Sequence, residues 1–393
     1  MTDLPPLTRN LSVAIVRQKY NPYGGAERIV ARAMQGLVKH GCELTVIARE
    51  WLSQQGEDKA TANFSWLKVN PFYLGRTWRA ISFGRMAKVS WQQHHFDLVQ
   101  SHERIPGAMI YRAGDGVHAE WLAQRSADSL LHRIVDRYSP YHRQQLFAER
   151  NLYTHPDLRG VICISEMVRN DILRYYDVPT DKLHVIYNGI DTSKFNPAIR
   201  RDLRQAARRR FGFSGTDCVA VFVGSGFSRK GLDVLLELLK AIPNLKALIV
   251  GKDKDVKKYI RKSYQLNVSS RCIFAGPQLD VRPYLSAADV FVLPTRYEPF
   301  SNAVLEALAM GLPAVVSNRC GAAEVVQKYE LGAVCSLGNL VEWVNALKKI
   351  NPSNLLLNQQ NQETEQFQLF LKNFSLDAFS SNLLAFYHRM IGA

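Results

Sequence analysis

Two glutamates, Glu298 and Glu306, stand eight residues apart behind a short apolar run. The run VFVLP, from Val290 to Pro294, predicts a buried strand, and AVLEALAMG predicts a helix that ends at Gly311. In open α/β sheets, ligands bind at the carboxyl ends of the strands, and a helix that starts there offers backbone N–H groups to a phosphate. We therefore expect one glutamate in the loop and the other on the helix, where both carboxylates can hold sugar hydroxyls.

Two adjacent cations, Arg229 and Lys230, follow another apolar run, CVAVFVG. Gly224 and Gly226 precede them, and glycines let a loop approach a ligand closely because they have no Cβ. Fixed positive charge beside a leaving group is among the largest catalytic effects, because it stabilises charge that develops in the transition state. An ordinary basic turn is the alternative. The two glycines, together with the glutamate pair Glu298 and Glu306, favour a diphosphate site over such a turn.

The amino-terminal half has candidates at the ends of its own predicted strands. Gly24 and Gly25 follow the first strand, LSVAIV, and Asp115 stands between two glycines in AGDGVH. His102 and Glu103 end the run FDLVQSHE, where they either border a ligand crevice or form a structural pair. For the two glycines a plain turn is the alternative, and for Asp115 an Asx turn.

Strand-like and helix-like segments alternate along the chain, as in parallel βαβ units. The 393 residues are enough for two ordinary domains. The turn-rich segment NGIDTSKFNP and an arginine-rich helix separate the two halves. We expect a Rossmann-like domain over residues 1–195, a second one over 196–370, and a terminal helix over 371–393.

Three motifs together resemble those of the family 4 retaining glycosyltransferases, which have the GT-B fold. They are the paired-glutamate segment, the Arg-Lys segment GSGFSRKG and the diglycine segment NPYGGAER. The resemblance implies two Rossmann-like domains that face each other across a cleft, with the C-terminal helix crossing back onto the first. It also implies that the amino-terminal domain binds an acceptor and the carboxy-terminal domain a nucleotide sugar.

The resemblance further implies a role for each site residue. Arg229 and Lys230 bind the diphosphate, Glu298 faces the donor sugar, and Glu306 accepts hydrogen bonds from the ribose. Since LEALAMG is otherwise apolar, we expect that Glu306 lacks a protein partner and that the ligand supplies one. Asp115 faces the acceptor or the anomeric centre, as a base or as an acceptor contact. The other donor-site candidates are Gly24, Gly25, Phe300, Ser301 and Asn302.

Within the family, YRAGDGVHAEW, the basic aromatic stretch after it and GKDK are most similar to bacterial lipopolysaccharide core glucosyltransferases. This similarity implies UDP-glucose or a similar UDP-hexose as donor. It implies a heptose of the lipopolysaccharide core, or a similar glycolipid, as acceptor. The family also implies retention, with the leaving phosphate helping to take the acceptor proton, and no cofactor besides the donor. The segment CGAAEVV resembles a diglycine-x-x-Glu motif with Cys320 in place of the first glycine.

The chain has 50 Lys and Arg against 35 Asp and Glu, a formal charge of +15. Such a charge favours nucleic acid, anionic lipid or phosphorylated glycan, and does not choose among them. Six arginines fall between Arg200 and Arg210, for which we expect a solvated helix face. From Glu120 to Tyr153, apolar and aromatic residues alternate with arginines. This pattern predicts either a helix on an anionic membrane or one that packs its apolar side on the core.

The segment Asp253-Lys254-Asp255 formally matches the D-x-D of metal-dependent transferases. We expect no metal there, because Arg229 and Lys230 already supply positive charge, and we interpret GKDKDVKKYI as a solvated helix start. The six cysteines have no C-x-x-C spacing, which favours reduced, buried thiols. The start, MTDLPPLTRN, has no signal-peptide pattern, and no apolar run approaches the roughly 18 residues that span a bilayer. We therefore expect a cytoplasmic protein, peripheral on the inner face of the membrane.

Two other classes stay open at this point. One is a nucleotide-sugar epimerase on the same fold, and the other is a nonenzymatic binder of RNA or anionic membrane. The basic aromatic stretch lacks an RNP motif, which disfavours nucleic acid as a partner. Release of UDP that depends on added acceptor separates a transferase from both alternatives.

Overall fold

The computed structural model describes residues 11–20, 34, 36–51, 64–127, 130–350 and 364–392. The chain divides into two compact units. The first comprises Met1–Gly189 and Leu376–Ala393, and the second comprises Ile190–Ser375. Each unit is built on its own parallel sheet, so the predicted pair of Rossmann-like α/β domains is confirmed.

The first unit contains a parallel sheet of seven described strands, in the order β5-β3-β1-β6-β7-β8-β9. These strands are β1 (Leu11–Val16), β3 (Cys42–Ala48), β5 (Phe64–Lys68), β6 (Leu98–Ser101), β7 (Ile110–Arg112), β8 (Gly160–Cys163) and β9 (Leu183–Val185). Two short strands, β2 (Lys19–Tyr20) and β4 (Glu50–Trp51), pair separately. The described helices between the strands are α1 (Gly75–Gln92), α2 (His118–Ala127), α3 (Leu130–Tyr138), α4 (Pro140–Tyr153) and α5 (Glu166–Tyr175).

The second unit contains a parallel sheet of six described strands, in the order β12-β11-β10-β13-β14-β15. Its strands are β10 (Cys218–Val223), β11 (Leu245–Val250), β12 (Cys272–Gly276), β13 (Val290–Leu293), β14 (Ala314–Ser317) and β15 (Gly332–Cys335). Its helices are α6 (Pro197–Arg210), α7 (Leu232–Ala241), α8 (Val256–Gln265), α9 (Arg282–Ala287), α10 (Asn302–Ala309), α11 (Ala323–Lys328), α12 (Leu340–Lys349) and α13 (Glu365–Asn373).

The last helix, α14 (Leu376–Ile391), packs on the first unit. Its buried residues share one core with strands β1 and β3, and they are Phe379, Leu383, Phe386, Tyr387 and Met390. The opposite face of that sheet is covered by α1, through Phe83, Ala87 and Trp91. Both faces of the sheet are therefore buried, as a parallel sheet requires.

The unit boundaries differ by a few residues from the sequence prediction of 195/196 and 370/371. Residues 190–195 join the second unit, because the N–H of Ile190 donates to the carbonyl of Phe374 at 2.7 Å. The helix α13 also stays with the second unit, where Phe370 contacts Tyr329 with ring centroids 5.8 Å apart. The terminal helix of the first unit consequently begins at Leu376.

The arginine-rich helix α6 is not simply a solvated face, so that prediction was wrong for part of it. Arg200 and Arg208 are buried, whereas Arg201, Arg209 and Arg210 are exposed. Arg208 Nη1 pairs with Asp289 Oδ2 at 3.1 Å and donates to the carbonyl of Ala287 at 3.0 Å. The buried cations thus bind the end of α9, where helix carbonyls lack partners within the helix.

Replacement of Arg208 should test this anchoring role. We expect Arg208→Met to lower the free energy of unfolding by about 3 kcal/mol, because it removes one of the two arginines paired with Asp289 and the side-chain donor to the carbonyls of Ser214 and Ala287. The exposed neighbour Arg209 serves as control, since Arg209→Met should change the free energy of unfolding by less than about 0.5 kcal/mol. Denaturant titration measures both, and equal losses for the two variants would contradict the anchoring role.

Candidate active site

Strand order reverses at one point in each sheet, and Arg229, Lys230 and Glu298 follow the two strands at that point in the second sheet. In the second sheet the reversal lies between β10 and β13, and in the first sheet between β1 and β6. Loops that leave adjacent parallel strands in opposite directions open a crevice at this edge, which is where α/β sheets bind ligands.

The loops after β10 and β13 are joined by backbone contacts. The carbonyl of Arg229 accepts from Thr295 Oγ1 at 3.0 Å and from the N–H of Arg296 at 2.8 Å. Gly231 makes this approach feasible: it has φ of 73°, and a Cβ there would lie 1.8 Å from the carbonyl oxygen of Pro294. Only glycine fits at that position, so the Arg-Lys loop packs directly on the glutamate loop.

Glu298, Arg229 and Lys230 form one charged cluster. Oε2 of Glu298 lies 2.7 Å from Arg229 Nη1 and 2.8 Å from Lys230 Nζ. Burial acts to raise the pKa of Glu298, but Lys230 and Arg229 outweigh it and hold that pKa below its usual value. The sequence predicted separate roles for the acid and the cations. The structure instead brings the three together, with two positive charges and one negative charge at one point.

The backbone of Glu298 is fixed by the segment around Cys320. Its N–H donates to the carbonyl of Arg319 at 3.0 Å, and its carbonyl accepts from the N–H of Gly321 at 2.9 Å. Cys320 is buried, and burial raises the pKa of its thiol to about 12. All six cysteines are free, and each is buried or half-buried, in agreement with the sequence prediction.

The donor-site candidates between the two glutamates lie at the start of α10. Phe300 and Ser301 are buried, and Asn302 opens the helix. The hydroxyl of Ser301 has no hydrogen-bond partner among the described residues and does not cap the helix. A buried hydroxyl without a partner is uncommon, so a ligand group is a natural occupant. Glu306 is half-buried and has a partner in the protein, so the expectation that it lacks one was wrong.

Asp253 fastens the loop after β11 to the Arg-Lys loop. Its Oδ2 accepts from the N–H of Phe227 at 2.6 Å, and its Oδ1 accepts from the N–H of Asp255 at 2.7 Å. The prediction of a merely solvated helix start was therefore wrong for Asp253. Both carboxylate oxygens are engaged by backbone donors, and the described residues contain no group of three or more side chains suited to a metal ion.

In the first unit the structure brings Asp115 near enough to Glu103 for the two carboxylates to repel each other. Oε1 of Glu103 accepts from the N–H of Gln18 at 2.9 Å, at the end of β1. Burial raises the pKa of Glu103, and the nearby Asp115 raises it further. Gly24 and Gly25 lie outside the described residues, so their prediction stays untested.

His102 is connected to helix α14 through Gln100. Tyr387 donates its hydroxyl to Gln100 Oε1 at 2.8 Å, and Gln100 Nε2 lies 2.9 Å from His102 Nε2. Burial, followed by the charges of Arg17 and Arg112, holds the pKa of His102 well below its ordinary value. The ring is therefore neutral near pH 7. The contact between Tyr387 and Gln100 joins residues 287 positions apart, and sequence spacing offered no signal for it.

Helices α3 and α4 turn apolar side chains toward solvent. Tyr138 is 72% exposed and Phe147 is 64% exposed, so these two residues do not pack on the core, whereas Leu152 and Tyr153 at the end of α4 are buried. The outer α3–α4 surface consists of exposed apolar and cationic residues, namely Ile134, Val135, Tyr138, Phe147, Arg137, Arg143 and Arg150. The side chains of Leu130, Leu131 and Arg133 are not among those described.

A second exposed apolar group lies at the start of α1. Phe72 is 71% exposed and contacts Trp78 edge-on, with ring centroids 5.6 Å apart. Arg76 lies 4.9 Å from the ring centroid of Tyr141 and so connects α1 to α4. Helix α1 carries four cations and no acidic residue. No helix in the described ranges is both long and apolar enough to cross a bilayer.

Comparison with known proteins agrees with this geometry. Residues 23–194 match the model of Glycosyltransferase Family 4, and residues 204–367 match that of Glycosyl transferases group 1. The lipopolysaccharide glucosyltransferase WaaG of Escherichia coli K12 is 25% identical over 82% of this chain and 84% of its own length.

Solved structures show the same fold. A crystal structure of WaaG, a glycosyltransferase involved in lipopolysaccharide biosynthesis, has a TM-score of 0.79 at 22% identity, covering 95% of this chain and 99% of that one. Anabaena Alr3699/HepE in complex with UDP-glucose has a TM-score of 0.71 at 17% identity, covering 97% and 100%. The chain therefore belongs to the family 4 glycosyltransferases and has the GT-B fold.

Proposed function

We propose that this protein is a retaining hexosyltransferase that moves glucose from UDP-glucose to a sugar hydroxyl of a lipopolysaccharide core or similar glycolipid. The observation that carries the proposal is the cluster of Arg229, Lys230 and Glu298 at the edge where strand order reverses. Two convergent cations suit a diphosphate, and a carboxylate beside them suits the hydroxyls of the attached sugar.

The nucleotide half of the donor fits the start of α10. The buried, unpartnered hydroxyl of Ser301 offers a donor or acceptor to the ligand. Glu306, further along the same helix, is assigned to the ribose hydroxyls. The choice of UDP and glucose is supported by two similar proteins, a lipopolysaccharide glucosyltransferase and a protein solved with UDP-glucose.

In the proposed reaction, the bond between the anomeric carbon and the phosphate oxygen breaks, and its electron pair leaves with UDP. The acceptor oxygen bonds to the same carbon on the same face, and its proton passes to the departing phosphate. Arg229 and Lys230 stabilise the charge that develops on that phosphate. Asp115 acts on the acceptor side, either as a base that helps to move this proton toward the phosphate or as an acceptor contact.

We infer that the reaction needs no metal ion or added cofactor. The two cations already supply the charge that a metal would bring to the diphosphate. Asp253, the first acid of the formal D-x-D segment, instead accepts from the N–H of Phe227 in the Arg-Lys loop and from the N–H of Asp255 in its own loop.

We also propose peripheral attachment to the cytoplasmic face of an anionic membrane. The outer α3–α4 surface combines exposed aromatic and aliphatic side chains with exposed arginines. Apolar groups enter the interface while cations contact acidic headgroups. A lipid-anchored acceptor would reach the enzyme at such a surface.

Release of UDP tests the reaction itself. With UDP-glucose as donor, UDP should appear only when a heptose-containing core oligosaccharide is added, and the product should keep the anomeric configuration. Arg229→Ala or Lys230→Ala should lower kcat at least about tenfold, because each removes charge stabilisation of the leaving group. EDTA should leave the rate unchanged.

Coupled assay and NMR of the product measure these outcomes. Acceptor-independent turnover would favour an epimerase, and absence of any turnover would favour a binding protein. Activity lost in EDTA and restored by Mn²⁺ would instead favour a catalytic metal ion bound by Asp253 and Asp255.

Calorimetry with UDP should separate the two glutamates. Glu306→Ala should weaken UDP binding, because it removes acceptors for the ribose hydroxyls. Glu298→Gln should bind UDP at least as tightly as the parent, because it removes a negative charge beside the diphosphate while keeping the side-chain shape. Glu237→Ala, on helix α7, is the matched control and should bind like the parent. Parent-like affinity in Glu306→Ala would overturn the ribose assignment.

Vesicle sedimentation should test the membrane surface. Changing Arg137, Arg143 and Arg150 together to Gln should weaken binding to phosphatidylglycerol vesicles roughly 100-fold, since each cation is worth about 1 kcal/mol near such a surface. The matched control changes the exposed set on α6, namely Arg201, Arg209 and Arg210. Equal loss in the two triple variants, or equal pelleting with neutral phosphatidylcholine, would argue against the outer α3–α4 surface.

A further inference from the structure

A buried ion pair lies behind the loop that carries Asp115. Arg104 Nε donates to Glu149 Oε1 at 2.9 Å, and the two side chains are 12% and 0% exposed. Buried charges are costly unless each has further partners, because an ion removed from water loses its hydration. The additional partners of this pair therefore indicate which part of the protein it holds.

Glu149, on helix α4, caps the start of helix α2. The N–H of His118 donates to Oε1 at 2.9 Å and to Oε2 at 3.1 Å. The hydroxyl of Tyr176 donates to Oε2 at 2.6 Å. A carboxylate at a helix start satisfies N–H groups that have no partner within the helix and interacts favourably with the helix dipole. Glu149 thus fixes the chain three residues after Asp115.

Arg104 holds the same loop from its other side. Its Nη2 donates to the carbonyl of Gly116 at 2.9 Å. The planar guanidinium reaches a carboxylate and a carbonyl together, which a lysine ammonium does less well. Before Asp115, the N–H of Ala113 donates to the carbonyl of Ile162. Both ends of this short loop are therefore tied to the fold.

Arg104 keeps its positive charge in this buried environment. Burial acts to lower its pKa, but Tyr111, Glu149 and Asp115 together raise that pKa well above its ordinary value. A permanent cation next to Asp115 also offsets the repulsion between Asp115 and Glu103.

We propose that Arg104 and Glu149 are positioning residues that hold Asp115 in its working place on the acceptor side of the reaction. This inference rests on the proposed function, in which Asp115 contacts the acceptor or the anomeric centre. A displacement of about 1 Å in such a group costs roughly 100-fold in rate. A pair that served only to stabilise the fold would change stability without an effect that depends on Asp115.

A double-mutant cycle distinguishes these roles. Arg104→Met and Asp115→Asn should each lower kcat by roughly 100-fold, measured with UDP-glucose and the core oligosaccharide. The combined variant should be no slower than Asp115→Asn alone, because Arg104 acts through Asp115. Multiplicative losses, or a parent-like rate in Asp115→Asn, would overturn the inference. Arg104→Lys should recover part of the rate, since it restores the charge without the planar fork.

The control is a buried ion pair of the same type in the second unit. Arg208→Met removes one of the two arginines paired with Asp289 and should lower stability while leaving kcat within about twofold of the parent. UDP affinity should stay unchanged in the Arg104 and Asp115 variants, because Arg229, Lys230 and Glu298 lie in the second unit. A loss of kcat in Arg208→Met equal to that in Arg104→Met would show that reduced stability alone explains the effect, and would overturn the inference.

Hydrogen exchange provides a measurement that does not depend on turnover. In Arg104→Met, amides of residues 114–119 should exchange at least about tenfold faster than in the parent, with the peptides of β10 unchanged. Parent-like exchange in residues 114–119 would overturn the inference whatever reaction the protein performs. Absence of glycosyl transfer in the parent would instead count against the proposed function, and the exchange result would still decide whether the pair holds the loop.

Discussion

A single carboxylate oxygen, Oε2 of Glu298, holds both Arg229 and Lys230 at hydrogen-bond distance. Two adjacent cations in a half-buried loop repel each other, and Glu298 lets them converge on one point. The arrangement depends on close backbone packing, which Gly231 permits against Pro294 and which the segment around Cys320 supports from the other side. Under the proposed function, a diphosphate finds these cations already in position, so little reorganisation is needed when charge develops on the leaving group.

The topology of the sheets explains why these residues meet. Parallel strands place all their carboxyl ends at one edge, and a reversal of strand order separates the loops that leave that edge. Each unit then uses a buried or half-buried pair of opposite charges to fix a loop at that edge. In the second unit this pair is Arg229 with Glu298, and in the first unit it is Arg104 with Glu149. The helix that supplies Glu149 also presents Phe147 and Arg150 outward, so the loop that carries Asp115 and the proposed membrane surface depend on one helix.

Sequence patterns predicted the strands, the two α/β units and the location of the Arg-Lys and glutamate loops, because these depend on local periodicity and on glycine spacing. They did not predict contacts between distant residues. Arg200 and Arg208 belong to a segment with the composition of a solvated helix. Their side chains nevertheless donate to the carbonyls of Ala288 and Ala287, 88 and 79 positions away, at the end of α9. Arg104 and Glu149 are 45 positions apart, and neither belongs to a recognisable motif. Such pairings follow from tertiary packing, which a single sequence does not encode in any short pattern.

The most direct test of the donor-site assignment is a crystal structure of the protein with UDP-glucose bound. The account predicts that the diphosphate lies within hydrogen-bond distance of Arg229 and Lys230, with the ribose on Glu306 and a glucose hydroxyl on Glu298. A nucleotide bound away from the loops after β10 and β13, or a diphosphate held by a metal ion at Asp253, would contradict it.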